Sequence, residues 1–192
     1  MFYSDRDIES AIKIGTLKVS PIEKGQIQPA SIDMRLDKKF LIPRSQKIIT
    51  MSTPIPYKEF VGDNFILHPH MFVLASTVES VELSNDIVAF VQGRSSVGRM
   101  GLFIQNAGWV DPGFKGQITL ELYNSSNSDI LLEAGRRICQ LAFAETRTSA
   151  NGDGYSGKYQ NQVGTTGSRV YQDFEVGSRG ENYILSNENI ND

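Results

Sequence analysis

The residues best equipped for chemistry lie between Gly93 and Asn124. In GRSSVGR, residues 93–99, Arg94 and Arg99 flank the hydroxyls of Ser95 and Ser96 between two glycines. Backbone N–H groups, serine hydroxyls and guanidinium forks at that spacing can converge on phosphate oxygens. The plain alternative is a strand-to-turn loop with solvated arginines. It is not a Walker A loop, because no Gly-Lys-Ser/Thr follows at the required spacing. Downstream, AGWVDPGFKG sets Asp111 between Trp109 and Phe114. Asp-Pro-Gly forms turns readily, so Asp111 could serve only as an Asx cap. Between two rings its carboxylate could instead meet a sugar hydroxyl in an aromatic-walled pocket. QITLELYN then alternates, with Ile118, Leu120 and Leu122 on one face and Thr119, Glu121 and Tyr123 on the other. A glutamate there is ordinarily solvated and paired with lysine. At a subunit interface it becomes a desolvated carboxylate suited to moving protons. Elsewhere, His68 and His70 share strand parity across Pro69, but two histidines without a third ligand make a poor metal site. Cys139 in RRICQLAF reads as a small core residue, and Gln140 points to the opposite face, where it could read a base edge.

The 192 residues that must position these groups are 40% hydrophobic, enough for one domain with a sizeable core. One Cys and two His exclude an intrachain disulfide and zinc sites built on several cysteines, including that of the nucleobase deaminases. A formal charge of −3 is too small for a nucleic-acid coat or an anionic-membrane partner, so a phosphate site must be a local cluster. No apolar run approaches the ~20 residues of a membrane span. MFYSDRDIES has no signal pattern, and a cytoplasmic location is expected. Ser4 and Asp7 form a capping-box pattern ahead of Ile8, Ala11 and Ile12, which predicts a short N-terminal helix stopped at Gly15. From Leu17 onward, short runs rich in Val, Ile and Phe between Gly, Pro, Asn and Asp predict an all-β barrel or sandwich. After Thr148 the chain becomes glycine-rich. Tyr155, Lys158, Tyr159, Gln162 and Arg169 stand among those glycines, the composition of a lid closing on a polar ligand, with a floppy surface excursion as the alternative. The polar segment 175–192 is expected to be a flexible tail.

Five segments together carry a resemblance: QPASIDMRL at 28–36, GRSSVGR at 93–99, NAGWVDPGFKGQITLEL at 106–122, GRRICQLAF at 135–143 and GKYQNQVGTTGSR at 157–169. In this order they resemble the dCTP deaminase family of the dUTPase-like superfamily, over residues 1–174. The resemblance implies a mainly β subunit, a distorted β-barrel or jelly roll with a short N-terminal helix, assembled as a homotrimer with active sites between subunits. It implies hydrolase activity on a magnesium-bound nucleoside triphosphate, dCTP or dUTP, with dTTP as a possible feedback inhibitor. By position, Arg94, Ser95, Ser96 and Arg99 match triphosphate contacts. Asp111 matches the carboxylate that meets the deoxyribose 3′-OH, and Thr119 and Leu120 match the strand lining the pyrimidine. Glu121 matches a proton-shuttling catalytic glutamate. Gln140, Tyr155, Lys158 and Gln162 match further contacts, the last three in a closing segment at 151–174. No protein side chain is implied as a metal ligand, and deamination in the family needs no zinc.

Two outcomes are open for the product. Monofunctional bacterial members commonly carry His-Arg where this chain has Gly108-Trp109, whereas AGW or AGF before the aspartate is similar to bifunctional members. That favours conversion of dCTP to dUMP, ammonia and pyrophosphate, Gly108 leaving room for a water beside the α-phosphate that Asp111 orients. Release of dUTP, dUTPase activity alone, and a non-catalytic nucleotide-responsive trimer are the other readings. Between Arg99 and Asp111 the chain is one residue shorter than many members, with IQNA backing onto the base edge.

Overall fold

The computed structural model describes residues 1–105 and 108–173. The N-terminal helix is built as its caps require. Ser4 and Asp7 exchange hydrogen bonds in a capping box before α1 (Asp5–Ile14), and Gly15, at φ 89°, ends it by donating to the Ala11 carbonyl. Ile8 and Ala11 are the buried residues of α1, and full burial of Ile8 contributes about 2–3 kcal/mol toward holding the helix on the sheets.

The β-rich runs form two packed sheets. In one, β5 (Tyr57–Val61), β4 (Lys39–Pro43), β7 (Phe72–Leu83), β11 (Lys115–Asn124) and β9 (Leu102–Gln105) are neighbours in that order, and β1 (Leu17–Ser20) also pairs with β7. In the other the order is β10 (Trp109–Val110), β8 (Ile87–Gly93), β13 (Arg137–Glu145), β3 (Ser31–Arg35) and β2 (Ile27–Gln28). A separate ribbon joins β6 (Asn64–Leu67) to β12 (Ile130–Glu133). Val73, Ala75, Leu120 and Leu122 of the first sheet share a core with Met34, Leu141 and Phe143 of the second. Phe40 and Phe65 belong to the same core and stack with ring centroids 4.5 Å apart.

The mainly β expectation with a short N-terminal helix holds, but the barrel reading is corrected: the described strands form no closed barrel. Edge strands β2 and β10 are two residues each, too short to carry a ladder from one sheet to the other. Among the described residues no helix is long and apolar enough to cross a membrane. Phe174 and the segment 175–192 lie outside the described residues.

Candidate active site

Strand β11 sets the first cavity. Ile118, Leu120, Leu122 and Asn124 are buried on one face, whereas Thr119, Glu121 and Tyr123 lie part-buried on the other. The period of two is the one QITLELYN predicts. Thr119 and Glu121 line a cavity of about 570 Å³ together with Trp109, Asp111, Phe114, Tyr155, Tyr159 and Gln162. Glu121 sits in register with Leu74 of β7 and Gln105 of β9.

Asp111 enters from the turn after β10. The Asx-cap alternative is not what forms: the turn closes through the Asp111 main-chain carbonyl, which accepts from Phe114 N–H at 3.2 Å. The carboxylate accepts from the Trp109 indole N–H at 2.8 Å. Trp109 pairs in register with Phe90, and their rings meet edge to face at 4.8 Å. Gly108 serves close packing here rather than open space. Val91 N–H donates to its carbonyl at 2.7 Å, and a Cβ on Gly108 would lie 2.7 Å from the Val91 carbonyl oxygen.

The glycine-rich segment covers this cavity. Gly113 (φ 81°) and Gly154 (φ 76°) interlock: a Cβ on the first would lie 2.3 Å from the Asp153 carbonyl, and one on the second 2.4 Å from that of Pro112. Tyr155 N–H then donates to the Pro112 carbonyl at 2.7 Å, and its ring meets Phe114 at 5.8 Å. Gln162 donates through Nε2 to the Gln117 carbonyl at 2.6 Å and accepts from Gln117 N–H at 3.0 Å. Among the described residues its Oε1 is buried without a hydrogen-bond partner, an acceptor that calls for a ligand donor or a water. Farther on, buried Thr165 donates to the Lys39 carbonyl at 2.6 Å, and Ser168 N–H donates to the Tyr57 hydroxyl at 3.1 Å. Lys158 is paired with Asp173, and that hydrogen bond raises the Lys158 pKa. In the structure the segment packs against the Pro112 turn and β11 through these contacts.

The second cavity, about 420 Å³, is lined by Gln28, Ser31, Asp33, Arg94, Ser95, Ser96 and Gln140. Arg94 is the N-cap of the single-turn α2 (Ser95–Gly98), and Gln140 lies opposite Asp33 and Gln92 in the β13 ladder. The solvated-arginine alternative fails for Arg94. Its Nε is 3.4 Å from the Asp33 carboxylate, and its Nη1 donates to the Arg137 carbonyl at 3.1 Å.

Asp111, Thr119, Glu121, Tyr155 and Gln162 thus gather in one cavity, and Arg94, Ser95, Ser96 and Gln140 in another on the same chain. Leu120 buries its side chain in the core, so only its main chain can meet a ligand. Arg99, the C-cap of α2, and Lys158 line neither cavity. Sequence reasoning overlooked Asp33 and Tyr57; the Asp33 carboxylate inside QPASIDMRL was the signal for the first. His68 pairs with Asp129 at 2.8 Å, whereas His70 lies against Tyr123, so the two rings do not converge. Cys139 is fully buried, and burial, with Glu79 and Asp33 adding to it, pushes its thiol pKa up. Asn106 and Ala107 of the IQNA stretch lie outside the described residues.

A family model described as dCTP deaminase-like matches residues 2–146. The chain belongs to the dCTP deaminase-like family. Among this family's curated members it is similar to the "dCTP deaminase, dUMP-forming" of Sulfurihydrogenibium sp., at 45% identity over 179 residues, 90% of this chain and 99% of that protein. It is likewise similar to the protein of that name from Aquifex aeolicus, at 44% identity over 93% of this chain and 99% of the relative. In fold it resembles the 2'-deoxycytidine 5'-triphosphate deaminase of Agrobacterium tumefaciens, with a TM-score of 0.61 and 24% identity over 74% of this chain and 48% of that one.

Proposed function

We propose that this dCTP deaminase-like chain converts dCTP to dUMP in two steps: dCTP and water give dUTP and ammonia, then dUTP and water give dUMP and pyrophosphate. The observation that carries the reading is the shared cavity of Glu121, Thr119, Asp111, Tyr155 and Gln162, with Gly108-Trp109 ahead of the aspartate as in members that form dUMP. The names of the relatives support the same product.

In the first step Glu121 takes a proton from water as its oxygen adds to C4 of cytosine and delivers it to N3, then takes the second proton from the C4 hydroxyl and passes it to the amine as the C4–N bond breaks, leaving ammonia and the C4 carbonyl. Thr119 and the Leu120 main chain flank the ring, and the buried Gln162 Oε1 offers an acceptor within the same cavity. In the second step Asp111 orients a water in line with the α-phosphate. Arg94, Ser95, Ser96, Arg99 and Lys158 bind the triphosphate and stabilise the charge that builds on the pyrophosphate, and Gln140 supplies a further ligand contact. Among the described residues no group of three or more His, Cys, Asp or Glu is assembled for a metal. Magnesium, when bound with the triphosphate, would supply charge neutralisation there, next to Arg94, Ser95 and Ser96.

The site residues occupy two cavities on one chain, which supports a homotrimer in which one subunit's Arg94 cavity completes another's Glu121 cavity. Residues 151–174 act as the lid on a single domain spanning 1–174. Thymine and uracil nucleotides share the ring edge and sugar that the cavity would read, so dTTP is expected to compete. Incubating the protein with dCTP and magnesium and separating the nucleotides tests the reading. Formation of dUMP supports it. Accumulated dUTP leaves a monofunctional deaminase, and hydrolysis of dUTP with dCTP untouched leaves a dUTPase.

A further inference from the structure

We propose that Asp33 is a positioning residue for triphosphate binding, acting through Arg94. The inference rests on the reading of Arg94, Ser95 and Ser96 as triphosphate ligands and deepens it.

Asp33 is 2% exposed, so its carboxylate is held almost wholly out of water. One oxygen lies 3.4 Å from Arg94 Nε and the other 3.2 Å from Arg137 Nη1. A second edge of the Arg94 guanidinium is fixed by the Arg137 carbonyl. One Nη1 hydrogen is thus engaged on the protein side and Nε faces the carboxylate as an ion pair, which leaves the other Nη1 hydrogen and both Nη2 hydrogens to turn to a ligand. The main chain that carries the carboxylate is fixed, because Asp33 N–H donates to the Gln26 carbonyl at 2.8 Å and the Gln26 side chain returns a 2.7 Å bond to the Asp33 carbonyl. Gln26 also donates to the fully buried Glu79, which holds Arg35. The net extends from Arg94 through Asp33 and Gln26 to Glu79.

An unanchored arginine loses its rotamer freedom when an anion docks. Here that freedom is removed in the folded chain. Arg137, held on the carboxylate's other oxygen from beside the cavity, offsets its charge, so Asp33 orients Arg94 without cancelling the attraction for phosphate.

The test separates phosphate binding from the rest of the site. Asp33→Asn should weaken inorganic tripolyphosphate binding, measured by calorimetry on the intact protein, by about tenfold, and raise KM for dCTP similarly. The kcat should stay within about threefold, and inhibition by deoxycytidine, which lacks phosphate, should be unchanged. In an Arg94→Ala background Asp33→Asn should add less than about twofold, since the partner it acts through is gone. Asp33→Glu keeps the charge but moves it by one methylene and should show the same split at smaller size, so the proposal is testable even if the asparagine variant fails to fold. Unchanged tripolyphosphate affinity, an equal loss for deoxycytidine, or a full tenfold loss persisting without Arg94 would each overturn it. A wild-type chain that binds tripolyphosphate but leaves dCTP intact removes the proposed activity and not this inference. One that binds no tripolyphosphate removes the inference.

Discussion

The indole N–H of Trp109 donates to Asp111 Oδ1 across 2.8 Å, so one oxygen of the carboxylate proposed to orient water is already engaged. Strand geometry places residues two apart on one face, and Phe90 holds the indole edge to face from β8. Trp109→Phe keeps the ring and removes the donor. Hydrolysis of dUTP should slow about three- to tenfold, as expected for one solvent-exposed hydrogen bond, while loss of dCTP proceeds near the wild-type rate. The ratio of dUTP to dUMP formed from dCTP, followed by chromatography, reads this directly. A wild-type ratio would mean that the indole does not steer the carboxylate.

Glu121→Gln removes the proton carrier with little change of shape. Ammonia release should fall by about 10²- to 10⁴-fold, with dUTP hydrolysis retained, because Asp111 and the phosphate-binding groups are untouched. Normal ammonia release from this variant would assign the proton transfers to another group.

Gly154→Ala tests the cover. At φ 76° with a Cβ 2.4 Å from the Pro112 carbonyl, alanine meets both left-handed strain, about 1 kcal/mol, and a main-chain clash. The segment after Asn151 should lift from the cavity. Limited proteolysis should cut it faster, and KM for dCTP should rise several-fold with the rest of the fold intact.

The buried Cys139 thiol gives a pH dependence whose sign follows from its raised pKa. Unfolded, it loses its proton near 9.0, whereas folded it keeps it. The unfolded chain therefore binds fewer protons above that pH, and stability falls as pH rises, by at most about 1.4 kcal/mol per unit. Tyr3, pushed up to about 12 first by burial and then by Glu145, adds a loss of the same sign only above pH 10. Urea unfolding between pH 8.5 and 10 should show the decline in the wild type and a flatter profile in Cys139→Ala.

How much was legible follows from which contacts are local. The capping box of Ser4 and Asp7 and the two-residue period around Glu121 are patterns within a few residues, and both formed as read. Asp33 was missed because β3 is buried on both faces, so no alternation marked its carboxylate as unusual. Where the glycine-rich segment packs could not be read locally, because Gln162 meets Gln117 and Gly154 meets Pro112 across more than 40 residues of chain. The barrel expectation failed for a related reason: strand runs can be counted in a sequence, but the shortness of β2 and β10 is set by how the sheets meet.

The packing of Gly108 against Val91 bears on how such enzymes could be redesigned. A carbonyl oxygen fills the place where any side chain at that position would begin, so a histidine cannot simply be exchanged for this glycine. The main chain would have to take another course. Redirecting the product therefore calls for transplanting the whole connection from β9 to the Asp111 turn, with its matching stretch of β8, rather than for a point substitution.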